Sequence, residues 1–251
     1  MSFELARSAS ARRMTKPIRT LLFDFGGTLD ADGVAWKERF YAHYRSEGLD
    51  MAPADFASAF YAADDPLKGE IPAGSDLSET VDRLTANLER ELAHRGAGPD
   101  GGGGDRGRRV ASHFLCEASA AFARNRPVLE SLSERYGLGI VSNFYGNLDA
   151  VCRGAGLAAL FGAIVDSQSV GAEKPDPAIF RAALEPLCAT PETTLLIGDS
   201  LPRDREGARR LGMRFLWIAP QHVQASEFLG RGERPDHPAV TRLEALAGML
   251  A

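Results

Sequence analysis

Cysteine is scarce in this chain. Its three cysteines, Cys116, Cys152 and Cys188, are widely separated and form no Cys-x-x-Cys pair. A disulfide framework and the common zinc knuckle are therefore excluded, and this usage fits a reducing cytosol. We expect a cytoplasmic protein.

Long apolar runs and an excess of positive charge are also missing. No run approaches the about 18 apolar residues that a transmembrane helix needs. The net charge of −5 provides no positive field that would neutralise the phosphates of a nucleic acid. The sequence therefore predicts that neither a membrane nor a nucleic acid is a partner.

The chain has 251 residues, which are enough to bury a sizeable hydrophobic core. We predict a basic, disordered tail at 1–17. A core is predicted from 18–32 together with 127–251, and an inserted helical cap from 33–126. Within the cap, residues 96–107 are rich in glycine, which is typical of a flexible loop.

The first predicted strand ends in a carboxylate that is followed by a glycine pair. Residues 18–23 are mostly apolar, as in a buried strand, and Asp24 follows them directly. Ligands of open parallel sheets bind beyond the carboxyl ends of the strands. Asp24 is therefore expected where chemistry is done, and Gly26 and Gly27 allow the backbone to turn sharply and approach a ligand.

The inserted segment shows the periodicity of helices. Trp36, Phe40 and Tyr44 recur at intervals of four residues, and apolar residues at helical spacing predict a further helix over 78–94. We expect the aromatic side chains to form the cap's own core, although they could also wall a substrate pocket.

Beyond the cap, strands alternate with helices. The last cap helix is predicted over 108–124, and Pro127 is expected to open a separate helix at its first position. Strands are then predicted at 138–143, 161–165, 195–199 and 215–218. Alternation with short connections predicts an α/β fold, with a parallel sheet covered by helices on both faces and an inserted all-helical cap.

Polar side chains follow the ends of the predicted strands. They are Asp24, Ser142 with Asn143, Lys174, and Asp199 with Asp204. Because parallel strands end at one edge of the sheet, these groups are expected to converge there. Three carboxylates brought together would repel one another and raise one another's pKa, and a bound hard cation removes that conflict. Ligands that are all oxygen suit Mg²⁺.

In such a site Asp24 would have two roles, as metal ligand and as nucleophile. Ser142, the backbone N–H of Asn143 and Lys174 would hold an anionic group with its electrophilic atom facing Asp24.

Four segments, in this order, resemble the motifs of the haloacid dehalogenase (HAD) superfamily. They are Phe23-Asp24-Phe25-Gly26-Gly27-Thr28, Val141-Ser142-Asn143, Lys174-Pro175-Asp176-Pro177, and Ile197-Gly198-Asp199-Ser200 with Asp204. The resemblance covers residues 18–251 and implies a Rossmann-like core with a helical cap inserted after the first motif. It also implies a Mg²⁺-dependent phosphatase that forms an aspartyl-phosphate and acts on a small phosphorylated metabolite.

The same resemblance implies roles for individual residues. Asp24 would be the nucleophile. The metal would be held by Asp24, Asp199, Asp204 and the backbone carbonyl of Gly26. The phosphoryl group would be bound by Thr28, Ser142 and Lys174, with Gly27 and Asn143 beside it.

The resemblance is incomplete at one position. Phosphatases of the family carry a second aspartate two residues after the nucleophile, which protonates the leaving oxygen, and this chain has Gly26 there. General acid–base help is typically worth about 10²–10⁴ in rate. An alkyl phosphate should feel this loss, whereas an acyl phosphate leaves without help. Asp30 and Asp32 could substitute for the acid, although solvated loop charges are the simpler interpretation.

Three interpretations stay open. A phosphatase or phosphotransferase with an unusual substrate is favoured. The 2-haloacid dehalogenases of the family also lack the second aspartate and need no metal, but such an enzyme has no use for Asp199 and Asp204. A catalytically impaired protein that binds a phosphorylated ligand or a partner would also keep the remaining residues.

Overall fold

The computed structural model describes residues 16–98, 104–224 and 237–250. All but the last two residues of the predicted tail at 1–17 lie outside these ranges. So do residues 99–103, the centre of the predicted glycine-rich loop.

Within these ranges the core is a six-stranded parallel sheet with the strand order β3-β2-β1-β4-β5-β6. The strands are β1 (Thr20–Phe23), β2 (Gly137–Ser142), β3 (Ala163–Asp166), β4 (Thr194–Gly198), β5 (Arg214–Ile218) and β6 (Ala239–Val240). β1 pairs with β2 on one side and with β4 on the other. The strand order reverses here, so the carboxyl end of β1 lies at the switch point where open α/β sheets bind ligands.

The cap lies between β1 and β2 in the chain. Its helices are α1 (Trp36–Ser46), α2 (Pro53–Asp64), α3 (Leu77–His94) and α4 (Gly104–Ser133). α3 confirms the helix predicted over 78–94. The Asp76 side chain accepts a hydrogen bond from the N–H of Glu79 and so caps the first turn of this helix. The buried side chains of the cap and those of one face of the sheet form a single hydrophobic cluster, so the cap is packed directly on the core.

Two predictions about the last cap helix are wrong. α4 is one continuous helix of 30 residues with Pro127 in its interior. It includes the last glycines of the predicted loop and the helix expected to start at Pro127. An interior proline costs a helix about 3 kcal/mol, but Phe122 and Leu129 on either side of it are buried in the shared cluster. This packing outweighs the local penalty, and the predicted boundary at 126/127 lies within the helix.

The core helices cover both faces of the sheet, as predicted. They are α5 (Leu148–Gly154), α6 (Ser167–Val170), α7 (Pro177–Leu184), α8 (Glu206–Leu211) and α9 (Ala245–Met249). The alternation of a strand is visible in β1, where Leu21 and Phe23 belong to the cluster shared with the cap and Leu22 belongs to the cluster on the opposite face. Among the described residues, no helix combines the length and apolar composition that crossing a bilayer requires.

Candidate active site

A cavity of about 690 Å³ lies between the carboxyl edge of the sheet and the cap. From the core it is lined by Asp24, Gly26, Ser142, Asn143, Lys174 and Asp199, among others, and from the cap by Trp36, Phe60, Tyr61 and Asp64. The polar residues predicted at the strand ends therefore do converge at one edge, and the cap covers them.

The carboxylate of Asp24 is oriented by two donors. Asp24 directly follows β1, and its backbone N–H donates to the carbonyl of Ile197 in β4 at 2.9 Å. Ser142 Oγ donates to Asp24 Oδ1 at 3.0 Å, and Lys174 Nζ donates to the same oxygen at 2.6 Å. Asp24 is buried apart from its exposure to the cavity. These contacts hold the side chain in one orientation, as a nucleophile requires.

Lys174 is a buried ammonium group held between two carboxylates. Its Nζ also donates to Asp204 Oδ1 at 2.7 Å. Burial lowers the pKa of Lys174, but the charges of Asp204 and Asp24 outweigh this effect and the pKa is raised. The loop that carries Lys174 is fixed by Asn143, whose Oδ1 accepts a hydrogen bond from the Lys174 backbone N–H at 2.7 Å. The positive charge therefore stays beside Asp24.

Three acidic side chains form a cluster that suits a hard cation. Asp24, Asp199 and Asp204 each offer a carboxylate oxygen, and these oxygens lie within 4.8 Å of one another. Desolvation raises the pKa of Asp199 well above its usual range, and the charges of Asp24 and Asp204 add to the shift. Desolvation likewise raises the pKa of Asp204 to about 6, although Lys174 opposes it. A bound divalent cation would relieve this repulsion, and carboxylate oxygens are the ligands that Mg²⁺ prefers.

The backbone around the cluster is shaped to leave room for these carboxylates. A Cβ atom at Gly198 would lie 2.3 Å from Asp204 Oδ2, so a side chain at this position would displace the acid. Gly27 has a φ of 94°, in the left-handed region, and its Cβ would lie 2.6 Å from Asp199 Oδ2. The donor set and its glycine-lined surroundings therefore fit Mg²⁺.

Thr28 is fully buried, and its Oγ1 donates to Asp199 Oδ1 at 3.2 Å. This hydrogen bond orients Asp199, one of the three acids of the cluster. Binding of a phosphoryl group by Thr28, Gly27 and Asn143 stays a prediction.

Asp30 is neither a solvated loop charge nor a free acid. Its Oδ1 accepts a hydrogen bond from the Gly27 N–H at 2.6 Å. Its Oδ2 accepts from Trp36 Nε1 at 2.7 Å and from Arg39 Nη1 at 2.8 Å. Burial raises the pKa of Asp30, although Arg39 and these hydrogen bonds oppose the shift. Asp32 pairs with Arg124 at 2.7 Å. Neither aspartate lines the cavity, so neither is placed to contact a substrate bound there.

Trp36 divides its contacts between the cap and the cavity. Its ring centroid lies 4.9 Å from that of Phe114 in α4, and 5.7 Å and 6.2 Å from those of Phe144 and Tyr145 in the loop after β2. Phe40 and Tyr44, by contrast, are completely buried and do not line the cavity. The expectation that the aromatic stripe forms the cap's core is therefore correct for these two residues and incomplete for Trp36.

Several cavity residues carried no sequence signal. The Tyr145 hydroxyl donates a hydrogen bond to Asp64 Oδ1 at the end of α2. Burial raises the pKa of Asp64, although the hydrogen bond from Tyr145 opposes the shift. Arg203 and His222 also line the cavity. These residues come from separate loops and helix ends, so no motif or periodicity could have grouped them.

The family model for haloacid dehalogenase-like hydrolases matches residues 18–212. The chain therefore belongs to the haloacid dehalogenase-like hydrolase family, and it is a hydrolase of that family, as the motifs predicted.

Named relatives support the same assignment. Haloacid dehalogenase-like hydrolase domain-containing protein 3 of Danio rerio is 30% identical over 232 residues, which cover 85% of this chain and 95% of that protein. The protein of the same name from Mus musculus is 35% identical over 113 residues, 45% of this chain and 43% of that protein. Phosphoserine phosphatase of Thermus thermophilus is 39% identical over 85 residues, 34% of this chain and 30% of that protein. The last two matches thus span less than half of each relative.

A solved structure shares the fold. The HAD-hydrolase YfnB from Bacillus subtilis, crystallised bound to magnesium, aligns with a TM-score of 0.53 at 21% identity. The alignment covers 94% of this chain and 99% of that chain. At this level of identity the likeness shows a common fold and no more.

Proposed function

We propose that this hydrolase is a Mg²⁺-dependent phosphatase that acts on a small phosphorylated metabolite through an aspartyl-phosphate on Asp24. The observation that carries the proposal is the cluster at the end of β1. There Asp24 lies within 4.8 Å of two further acids and 2.6 Å from an ammonium group. The relative that is named a phosphoserine phosphatase supports the same reaction class.

The residues that would hold the metal are Asp24, Asp199 and Asp204, with the backbone carbonyl of Gly26 as a further ligand. A bound Mg²⁺ supplies charge neutralisation, which allows a phosphate dianion to approach a carboxylate.

The chain's own groups account for the rest of the reaction. A carboxylate oxygen of Asp24 attacks phosphorus, the bond from phosphorus to the leaving oxygen breaks, and the electron pair departs on that oxygen. Water then attacks the phosphorus of the aspartyl-phosphate, which releases phosphate and restores Asp24. Lys174 and Ser142, which already contact Asp24 Oδ1, would bind the phosphoryl oxygens as charge develops on them.

The first step has no proton donor at position 26. A leaving oxygen of high basicity would lack general acid help worth about 10²–10⁴ in rate. The proposed substrates are therefore phosphorylated metabolites whose leaving group departs as a weak base.

The test is hydrolysis of p-nitrophenyl phosphate and acetyl phosphate, with and without Mg²⁺. We expect turnover only with Mg²⁺, and its loss in Asp24→Asn. The control is Asp32→Asn, because Asp32 does not line the cavity and pairs with Arg124; we expect this variant to keep its activity.

Two results would contradict the proposal. Turnover of a 2-haloacid that survives a chelator would indicate a dehalogenase. Binding of Mg²⁺ without turnover of any phosphoester or acyl phosphate would indicate a protein that only binds a phosphorylated ligand.

A further inference from the structure

Position 26 is a place where glycine is not required by the backbone. Gly27 has a left-handed φ of 94°, but Gly26 is not among the residues with positive φ. The neighbour that disfavours a side chain is Trp36. A Cβ atom at Gly26 would lie 3.2 Å from Trp36 Nε1 and 3.5 Å from Trp36 Cδ1. A complete aspartate side chain at this position would therefore compete with the indole for space.

The indole is held where it stands. Its Nε1 donates to Asp30 Oδ2 at 2.7 Å, and that carboxylate is itself fixed by Gly27 and Arg39. Its ring packs edge to face against Phe114, with centroids 4.9 Å apart. Moving the indole aside would break a hydrogen bond to a buried carboxylate, which is unfavourable.

The indole is also part of an aromatic wall. Trp36, Phe60, Tyr61, Phe144 and Tyr145 all line the cavity that contains Asp24. The volume of about 690 Å³ is sufficient for a substrate with a ring beyond its phosphate. Aromatic faces at this position favour a flat, apolar leaving group.

We propose that Trp36 occupies the space of the missing acid and selects aryl phosphates, the phosphate esters of aromatic hydroxyl groups. This inference rests on the proposed phosphatase function. When Asp24 attacks phosphorus, the bond from phosphorus to the aryl oxygen breaks and the electron pair stays on the phenolate. The phenolate is stabilised by its ring and takes a proton from solvent after departure, so no acid at position 26 is needed. The absent acid and the aromatic wall thus favour the same class of substrate.

Three substrates separate the effect of leaving-group basicity from the effect of the aromatic wall. Phenyl phosphate and benzyl phosphate have similar shapes, but only phenyl phosphate has a weakly basic leaving group. Acetyl phosphate also leaves as a weak base but has no ring. For the unmodified enzyme we expect kcat/KM for phenyl phosphate to exceed that for benzyl phosphate by about 10²–10⁴, the value of the missing acid. Equal values for the two would overturn the inference.

Trp36→Leu tests the wall. We expect it to raise KM for phenyl phosphate about three- to tenfold more than KM for acetyl phosphate, the worth of an aromatic contact. Tyr41→Leu is the matched control, because Tyr41 lies on the same helix, packs against Phe56 and does not line the cavity. Equal effects of Trp36→Leu on both substrates, or an effect of Tyr41→Leu as large, would count against the wall.

The competition for space is tested by combining substitutions. We expect Gly26→Asp alone to give no gain on benzyl phosphate, and Gly26→Asp with Trp36→Leu to raise its turnover relative to phenyl phosphate. A full gain from Gly26→Asp alone would show that Trp36 does not occupy the acid's space.

Urea unfolding gives a readout that is independent of catalysis. It compares the unmodified protein, Gly26→Asp, Trp36→Leu and the double variant. Gly26→Asp should lower the midpoint more when Trp36 is present than when it is replaced by leucine. If no phosphate is hydrolysed at all, the proposed function fails, and this cycle still decides whether the two positions compete. Equal shifts in both backgrounds would overturn the competition itself.

Discussion

Replacing Asp30 with asparagine should be unusually costly for a single-atom change. The carboxylate accepts N–H groups on both oxygens, from Gly27 on Oδ1 and from Trp36 and Arg39 on Oδ2. An asparagine has one carbonyl oxygen and one NH₂ group, so in either orientation a donor would face a donor. Asp30→Asn would also leave the guanidinium of Arg39 buried, at 5% exposure, without its close carboxylate partner.

The size of the stability loss in Asp30→Asn follows from the burial of the Asp30–Arg39 ion pair. Breaking a buried ion pair by removing one partner costs about 3–5 kcal/mol, a large part of a total stability of about 5–15 kcal/mol. The remaining partners of Arg39, the Phe114 carbonyl at 3.2 Å and the exposed Glu117 at 3.3 Å, offset a part of this cost. For a chain of this size, each kcal/mol lowers Tm by about 2–4 °C. The full cost would lower Tm by about 6–20 °C, and we expect Asp30→Asn to fall in the lower half of this range because of the offset.

Thermal and urea unfolding, followed by circular dichroism, measure the effect. Asp32→Asn is the control, since Asp32 and Arg124 form an ion pair at 2.7 Å with exposures of 29% and 31%. Such pairs contribute about 0–1 kcal/mol. A second variant adds Arg39→Met to Asp30→Asn, which removes the unpaired guanidinium and should recover the part of the loss that this charge causes. If Asp30→Asn lowers Tm no more than Asp32→Asn does, the buried pair of Asp30 and Arg39 does not stabilise the fold as we argue.

Three further predictions concern the acidic cluster, the start of α7 and the contact between cap and core. Gly198→Ala would place a Cβ 2.3 Å from Asp204 Oδ2, so we expect Mg²⁺ affinity measured by calorimetry to fall about 10–100-fold; unchanged affinity would contradict the ligand role of Asp204. Asp176→Ala removes the side chain that accepts the first hydrogen bond of α7, and should lower the free energy of unfolding by about 1 kcal/mol. Lys68→Met breaks the partly exposed 3.3 Å ion pair with Glu173 between cap and core, together with the 3.1 Å pair with Asp65 within the cap. Its effect should stay below about 1 kcal/mol and vanish in 1 M salt, and an effect that persists in salt would refute a purely electrostatic contact.

The order of the fold was predictable from local signals. Asp176 and Pro177 begin α7, with the Asp176 side chain accepting from the Ala178 N–H, and an aspartate followed by a proline is a typical helix start. Alternating apolar strands and amphipathic helices specify a parallel sheet whatever their exact ends. β6 carried no such signal, because a strand of two residues, Ala239–Val240, is too short to show a period.

Local signals failed where packing competed with them. Pro127 indicates a helix start, yet it lies inside α4, because the apolar residues on both sides of it are buried together. Asp30 lies in a polar turn, which favours a solvated charge. Its buried partner Arg39 is nine residues away, on a helix whose rotation about its axis cannot be read from the turn.

The sequence by itself determined which polar groups meet at the carboxyl edge of the sheet. Asp24, Ser142 and Asp199 lie at or directly after the ends of β1, β2 and β4, and parallel strands bring their ends to one edge whatever else the chain does. Only the tertiary structure decided what surrounds that chemistry. Periodicity says which face of a helix is apolar, but not which surface it will meet, so the position of Trp36 against Gly26 emerged only when the cap was packed on the core.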